Sequence, residues 1–584
     1  MDMLLVGINA KFVHSNLAIR YMKAYCEKLG HDIEIEEYTI NQRVDVILSE
    51  IMKKKPKAIG FSCYLWNIEF VAKLCSSIKK IDANCWIFLG GPEVSYCSEK
   101  WLESLRIDAI IRGEGEKTVF ELLKYLKGEN VKLEDIDGLV YRQEDKIITN
   151  NKRMPMDLSE IPFPYNEKAI QELASRIIYY ESSRGCPFGC KYCLSSIEKG
   201  VRFRDIELVK KELDFFLKQK VKQVKFVDRT FNCNKKHTME IWEHLIENDN
   251  NVTNFHFEIT AELITEEMLD LLKKARVGLF QFEIGVQSTN TETLKEINRN
   301  MSFEDIADRV NKIKALKNIH LHLDLIAGLP QEDYKSFEKS FNDVYSLRPE
   351  QLQLGFLKVL KGSEIFENSE RLGIEYREYA PYEVLKTGDM SYVEIERLKI
   401  VEEMTELYFN SGNYINTIGY LETQFEKPFK LFEKIADYWE ENGLNKVSHS
   451  KVKIAEILRD FSLEKTNADI ELLENLLLFD WCLMEKPRKY PGWIKDGYEY
   501  KEQINSFYKE EENIIRYLSQ IDSLHTKQIS RMVHIEVFEY DLQSMRISNS
   551  NSYNKEKTAI LFNYFEKEGL LKTKTYKLEN FWRD

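Results

Sequence analysis

Short apolar runs alternate with stretches of helical period along the first 125 residues. The segments 3–10 (MLLVGINA), 33–40 (IEIEEYTI), 57–64 (KAIGFSCY), 86–91 (WIFLGG) and 108–116 (DAIIRGEGE) are predicted strands. Between them, 16–30 (NLAIRYMKAYCEKLG), 44–55 (VDVILSEIMKKK), 67–81 (NIEFVAKLCSSIKKI) and 116–126 (EKTVFELLKYL) repeat apolar residues every three to four positions, as helices do. Strands and helices alternating at this interval predict a parallel, doubly wound sheet of the Rossmann type. Ligands of such sheets bind in the crevice beyond the carboxyl ends of the strands. Those ends carry Gly7-Ile8-Asn9-Ala10, Ser62-Cys63-Tyr64-Leu65, Gly90-Gly91-Pro92-Glu93 and Gly113-Glu114-Gly115-Glu116. Small residues there admit a large ligand close to the backbone, and tight strand-to-helix turns explain them equally.

From 129 to 175 the rhythm breaks into a hairpin pattern, IDGLVYRQEDKIITN, and a Pro-bearing connector, DLSEIPFPYN. Alternation then resumes. IIYYESS, VKQVKFVDRTF, NFHFEITA, LFQFEIGVQS, IHLHLDLIAGLP and QLQLGFLKVL are six strand candidates, with helices such as IELVKKELDFFLKQ and FEDIADRVNKIKAL among them. Six βα units between 176 and 365 suit an open, partial (β/α)6 barrel, whose catalytic groups belong at the carboxyl ends of its strands. Beyond 366 the pattern is mostly helical and rich in Tyr, Phe and Trp, with short strands expected near 534–541 and 570–577.

A length of 584 residues requires several domains, and the pattern divides them as 1–128, 129–175, 176–365 and 366–584. A net charge of −13 argues against broad nucleic-acid affinity, though not against one local basic groove. The longest apolar runs are strand-length, far short of the ~20 residues of a membrane helix. With no basic, then apolar, leader at the N-terminus, the expected location is cytoplasmic.

Seven of the ten cysteines are scattered singly, and in a reducing compartment they are plain core residues. The other three fall within residues 182–194, SSRGCPFGCKYCL, directly after the first barrel strand. Cys186, Cys190 and Cys193 offer three thiolates, which select iron–sulfur clusters, zinc or copper(I). A zinc site completed by Cys233 or His237, in NCNKKH, is one reading. A 4Fe–4S cluster with three protein ligands and one open iron is the other.

CPFGCKYC resembles the C-x3-C-x-aromatic-C motif of the radical S-adenosylmethionine enzymes. FVDRTFN, FEITAELI, FEIGVQS, INRNMS and DLIAGLPQED resemble their later strand motifs. The resemblance implies a cluster on Cys186, Cys190 and Cys193 that binds S-adenosylmethionine through its open iron and, when reduced, cleaves it to a 5′-deoxyadenosyl radical. It places Tyr192, Asp228, Glu258, Glu283, Gln287 and Arg299 about that molecule, Glu283 towards the ribose and Arg299 towards the methionine carboxylate. Each acid taken alone reads equally well as structural.

The first domain, followed by a connector and the cysteine barrel, is similar to the subclass that carries a cobalamin-binding domain ahead of the barrel. That implies a cobalamin crevice at Asn9, Ala10, Ser62, Tyr64, Leu65, Gly90, Gly91, Gly113 and Glu114. Cobalamin domains that ligate cobalt by histidine use Asp-x-His-x-x-Gly; here Phe12 and Leu17 flank His14 where Asp and Gly would stand. The expectation is base-off cobalamin without a histidine ligand, His14 being a surface residue. The implied activity is methyl transfer to an unactivated carbon or phosphorus, with a flavodoxin- or ferredoxin-type reductant. Ring contraction, cyclisation or oxidation with the same cofactors is the alternative, as is tRNA modification with the first domain an empty scaffold. The substrate is open among small metabolite, peptide, lipid and tRNA. The tail is either a cover for the barrel opening or a surface for a partner.

Overall fold

The structure is a computed structural model that describes residues 1–487, 490–494, 500–518, 529, 531–544, 553–566, 573–579 and 581–582. It forms two compact units. The first comprises 1–319, 326–333 and 355–392; the second comprises 320–325, 334–354 and 393–584.

In the first unit, β1 (Met3–Asn9), β2 (Glu34–Thr39), β3 (Ala58–Ser62), β4 (Trp86–Gly90) and β5 (Ala109–Ile111) pair in parallel in the order β2-β1-β3-β4-β5. Every residue of β1 is buried, and its side chains alternate between two cores. Leu4, Val6 and Ile8 join Ile47, Val71 and Leu74 on one face. Met3 and Leu5 join Ile19, Val119 and Leu122 on the other. A strand apolar at both parities thus demands helices on both faces, each buried Leu, Ile or Val contributing about 1.5–3 kcal/mol. The expected hairpin, β6 (Leu139–Gln143) and β7 (Lys146–Thr149), does not stand apart. β6 pairs antiparallel with β5, extending the sheet to seven strands.

The second sheet of this unit contains β8 (Ile178–Tyr180), β11 (Gln223–Phe226), β12 (Asn254–Ile259) and β13 (Phe280–Gln287), all parallel, with β11 between β8 and β12. Between β8 and β11 the chain makes an antiparallel hairpin, β9 (Ser183–Cys186) with β10 (Gly200–Phe203). Alternation along β11 to β13 sorts the side chains. Phe226, Phe257, Phe280 and Phe282 are fully buried about Trp242, which stacks on Phe282 at 5.3 Å. Lys225, His256, Glu258, Gln281 and Glu283 occupy the intervening positions, so the opposite face is polar. The two remaining strands of the expected six are β14 (His320–Ala327) and β15 (Gln351–Phe356).

The second unit is built mainly of helices, among them Tyr334–Ser346, Pro428–Glu441, Lys451–Lys465 and Ile470–Met484. It also holds an antiparallel sheet of Val533–Phe538, Thr558–Asn563 and Lys574–Lys577. Its middle strand, TAILFN, was not foreseen: a short unbroken apolar run has no period to separate strand from helix. Residues 570–572 of the other expected strand lie outside the described residues. Among the described residues, no helix is long and apolar enough to cross a membrane.

Candidate active site

The cysteine loop grows from the β9 hairpin. Cys186 ends β9, opposite Gly200, with its sulfur 3.6 Å from the Thr230 hydroxyl. The Ser196 hydroxyl spans the carbonyls of Cys190 (2.8 Å) and Cys193 (2.6 Å). The Lys191 amide donates to the Ile297 carbonyl at 3.1 Å, and Asn298 Nδ2 to the Gly189 carbonyl at 2.8 Å. One backbone bond and one side-chain bond from the region after β13 therefore fix the loop. Cys190 is buried while Cys186 and Cys193 are half-buried. Burial pushes the Cys190 thiol up, and the Arg299 guanidinium draws it back towards the thiolate.

Asp228, expected beside S-adenosylmethionine, lies under the root of this loop. Its carboxylate accepts from the Ser182 amide (3.0 Å), the Ser182 hydroxyl (2.7 Å) and the Ser183 hydroxyl (2.6 Å). Burial raises its pKa to about 6 against those hydrogen bonds. His237 Nε2 faces the same Ser182 hydroxyl at 3.2 Å, and burial lowers its pKa to about 4. Cys233 is half-buried, its thiol raised to about 11 by burial, then by Asp228 and Cys186. Among the described residues, no trio of ligand atoms from this region lies within 4.8 Å of one another, as a single tetrahedral zinc would require. Accordingly, Cys233→Ser is expected to leave the iron content of anaerobically purified protein unchanged; a fall would restore Cys233 as a ligand.

Arg299 converges on the loop. Its Nη1 donates to the Tyr192 hydroxyl at 3.0 Å, its Nη2 to the Gly285 carbonyl at 2.6 Å and its Nε to Met301 Sδ at 2.9 Å. A guanidinium has five N–H donors, so one remains on each terminal nitrogen, spaced for a carboxylate. Gln287, with φ of +70°, folds back so closely that a Cβ on Gly285 would sit 2.1 Å from its amide nitrogen. Near Arg299 lies an acid that the sequence reading passed over. Glu262 Oε2 is buried without a hydrogen-bond partner; burial raises its pKa and Arg299 opposes that. Its one sequence signal is its place in the loop immediately after β12.

Glu258 and Glu283 stand side by side in register on β12 and β13. Glu283 Oε2 is 2.9 Å from Lys225 Nζ and 3.0 Å from His256 Nε2. Glu258 is 3.9 Å from Arg229.

At the ends of the first sheet, Asn9 Nδ2 donates to Glu37 at 2.8 Å and to the His14 carbonyl at 3.1 Å. The Ser62 hydroxyl accepts from Asn16 at 2.7 Å. These two side chains are engaged within the fold. Ala10 and Leu65 are half-buried in the turns after β1 and β3. Tyr64 stacks on Trp66 at 4.4 Å, and Trp66 is 45% exposed, leaving an apolar aromatic platform at the strand ends. Gly91 has φ of +112°, and a Cβ there would meet the Cys63 carbonyl at 2.5 Å. Gly90 and Gly113 have no atom within 3.4 Å of where a side chain would begin. His14 Nδ1 is 2.7 Å from the Tyr179 hydroxyl on β8; burial, then Lys11 and Lys225, lower its pKa.

Glu114 is engaged within the fold. It pairs with Arg202 and with Arg184 Nη1 (3.3 Å), and it accepts from the Met156 amide at 2.9 Å. Burial pushes its pKa up, but Arg202 and Arg184 outweigh that and hold it below the usual carboxylate range. Arg184 also reaches Glu116 at 2.9 Å and Glu181 at 2.8 Å. Arg184 and Arg202 sit opposite each other in the cysteine hairpin. The hairpin is thus bolted to the end of β5, and the cysteine loop and sheet crevice belong to one assembly.

Residues 3–123 match the family model of the B12 binding domain, 180–344 that of the Radical SAM superfamily and 370–562 that of a protein family of unknown function, DUF4080. The chain is 26% identical over 387 residues to an uncharacterized methyltransferase of Pyrococcus horikoshii, covering 63% of this chain and 82% of that one. It is 26% identical over 309 residues to the cobalamin-dependent radical SAM methyltransferase TokK of Streptomyces tokunonensis, covering 48% of this chain and only 44% of that one. The structure of the methyltransferase TsrM from Kitasatospora setae, with cobalamin and a [4Fe-4S] cluster bound, aligns with a TM-score of 0.57 at 14% identity over 76% of this chain and all of that one. The chain thus carries a match to the B12 binding domain followed by a match to the Radical SAM superfamily.

Proposed function

We propose that the chain is a cobalamin-dependent radical S-adenosylmethionine methyltransferase acting on an unactivated carbon or phosphorus. The observation that carries this reading is the bolt of Arg184 and Arg202 onto Glu114 and Glu116, which sets a cluster loop against the ligand end of a doubly wound sheet. When bound, the cluster and S-adenosylmethionine supply a carbon radical and cobalamin supplies the methyl group.

The chain's own residues bind and orient. The sulfurs of Cys186, Cys190 and Cys193 hold the cluster, leaving one iron for substrate-like ligands. The two remaining N–H groups of Arg299 take the methionine carboxylate in a fork, and the unpartnered oxygen of Glu262 takes the amino group. Tyr192 and Gln287 flank that position, while Glu258 and Glu283 face the lumen below it for the ribose. Asp228 acts through Ser182 and Ser183 as a positioning residue. The Tyr64–Trp66 platform, with Gly90, Gly91 and Gly113, seats the corrin. His14 is engaged by Tyr179, which supports a base-off cobalamin with no histidine ligand. A flavodoxin or ferredoxin fits the role of reductant, and ten unpaired cysteines suit the reducing cytoplasm.

The test is anaerobic purification with cobalamin supplied, followed by iron, sulfide and cobalt counts and an absorbance spectrum. Iron near four with stoichiometric cobalt supports both cofactors, and iron without cobalt would overturn the cobalamin reading. His14→Ala is expected to retain cobalamin with an unchanged spectrum; a spectral shift would make His14 a ligand. Product mass then decides the chemistry, since methylation adds one methylene equivalent and cyclisation does not.

A further inference from the structure

The second unit gathers one sulfur, one imidazole nitrogen and one carboxylate oxygen, from Cys482, His534 and Glu536, within 4.8 Å of one another. Among the described residues no other trio of potential ligands converges so closely. Cys482 lies in the last turn of the helix Ile470–Met484. His534 and Glu536 stand two apart on the strand Val533–Phe538, so both side chains leave the same face. Rings of Phe479, Phe538 and Phe562, with centroids 5.5 to 6.2 Å apart, clamp helix to sheet beside them. Cys482 is fully buried, and the side chains of His534 and Glu536 are 12% and 9% exposed.

The spacing suits a metal ion. His534 Nε2 and Glu536 Oε2 are 3.1 Å apart. A tetrahedral zinc with nitrogen and oxygen at about 2.0–2.2 Å separates them by about 3.4 Å. The surrounding side chains hold the ligands in place, as outer groups do in metal sites. The Tyr490 hydroxyl donates to Glu536 Oε2 at 2.7 Å, and the Tyr564 hydroxyl to the Cys482 carbonyl at 2.8 Å. A divalent ion shared by a buried sulfur and a nearly buried imidazole–carboxylate pair would satisfy all three groups at once. One sulfur, one nitrogen and one oxygen form the borderline-soft set that zinc takes.

We propose that Cys482, His534 and Glu536 form a zinc site with three protein ligands and a fourth position open to water or a substrate atom. This site is independent of the chemistry proposed for the first unit. It is tested on the full chain with its iron–sulfur cluster loaded, so that the loop cysteines are occupied by iron. After equilibration with equimolar zinc and desalting, about one zinc per chain is expected. Cys482→Ser and Glu536→Gln, both isosteric, are expected to lose the zinc while the iron count and far-ultraviolet circular dichroism stay those of the parent. Tyr490→Phe, which keeps every ligand, is expected to weaken zinc affinity about tenfold in a chelator competition. Zinc absent from the parent chain, or retained unchanged in both ligand variants, would overturn the proposal. In the first case His534 and Glu536 are a simple imidazole–carboxylate pair.

Discussion

Replacing Cys186, Cys190 and Cys193 together with alanine is expected to abolish iron, sulfide, visible cluster absorbance and all cleavage of S-adenosylmethionine, while cobalamin remains bound. The loop's shape does not depend on its sulfurs. It is held by the Lys191 amide on Ile297, by Asn298 on Gly189, by Ser196 on two carbonyls and by Asp228 beneath its root. None of these contacts is a cysteine side chain, and three small apolar replacements leave them in place. The loss should therefore be chemical rather than structural. A single alanine at the buried Cys190 is expected to behave like the triple variant, because two thiolates cannot anchor a cluster that keeps one iron open. The decisive measurement is iron and sulfide content alongside the cobalamin spectrum, after anaerobic reconstitution. Full cluster absorbance in the triple variant would sink the assignment, and loss of cobalamin together with iron would show that the variant had misfolded.

What the sequence reveals of this architecture follows from the range of the forces involved. β1 is legible because its apolar residues run unbroken at both parities, and only a strand covered on both faces tolerates that. The cysteine loop is legible because its three thiols are neighbours in the chain. Glu114 is half-legible. Its place at a strand end marks it as important, but its partners Arg184 and Arg202 lie 70 and 88 residues later, and nothing local distinguishes them from solvated arginines. Its service as a clasp is therefore visible only in the fold.

Asp228 is half-legible in the same way. A carboxylate at a barrel strand end invites a binding role, and only the fold shows two serines consuming its acceptors. Glu262 is the opposite case. It sits inside the stretch FEITAELI beside the more regular Glu258, and its distinction, a buried oxygen with no partner, is a property of packing that one sequence does not carry. Cys482 lies more than fifty positions before His534 and Glu536, and a single buried cysteine in an apolar helix is read as core.

The second large effect is expected at Arg184. Arg184→Met keeps most of the aliphatic stem and removes the charge, stranding Glu114, Glu116 and Glu181, whose side chains are 12%, 6% and 13% exposed. Removing one partner of a buried ion pair costs about 3–5 kcal/mol, since the carboxylates left behind stay desolvated. Arg202 still holds Glu114, so Glu116 and Glu181 carry most of that deficit. The double variant Arg184→Met/Glu116→Gln is accordingly expected to be more stable than the sum of its two single variants, because it removes the stranded charge as well. Glu114 fixes the sign with pH of its own share of the deficit. Its folded pKa is depressed, so its contribution is present above the ordinary glutamate value, about 4.3, and is lost as pH falls through the folded value. The Glu114 share of the Arg184→Met deficit should therefore be full at neutral pH and shrink in that acidic window. Cluster content separates a local from a global effect. The three thiols are intact in this variant, so iron is expected to stay near the parent value while the first unfolding midpoint falls. Cleavage of S-adenosylmethionine should persist at a reduced rate, since the hairpin remains but is no longer clasped to β5. An unchanged midpoint would mean that the Arg184 cluster contributes nothing to holding the cysteine hairpin against the first sheet, and the shared site inferred from it would lose its support.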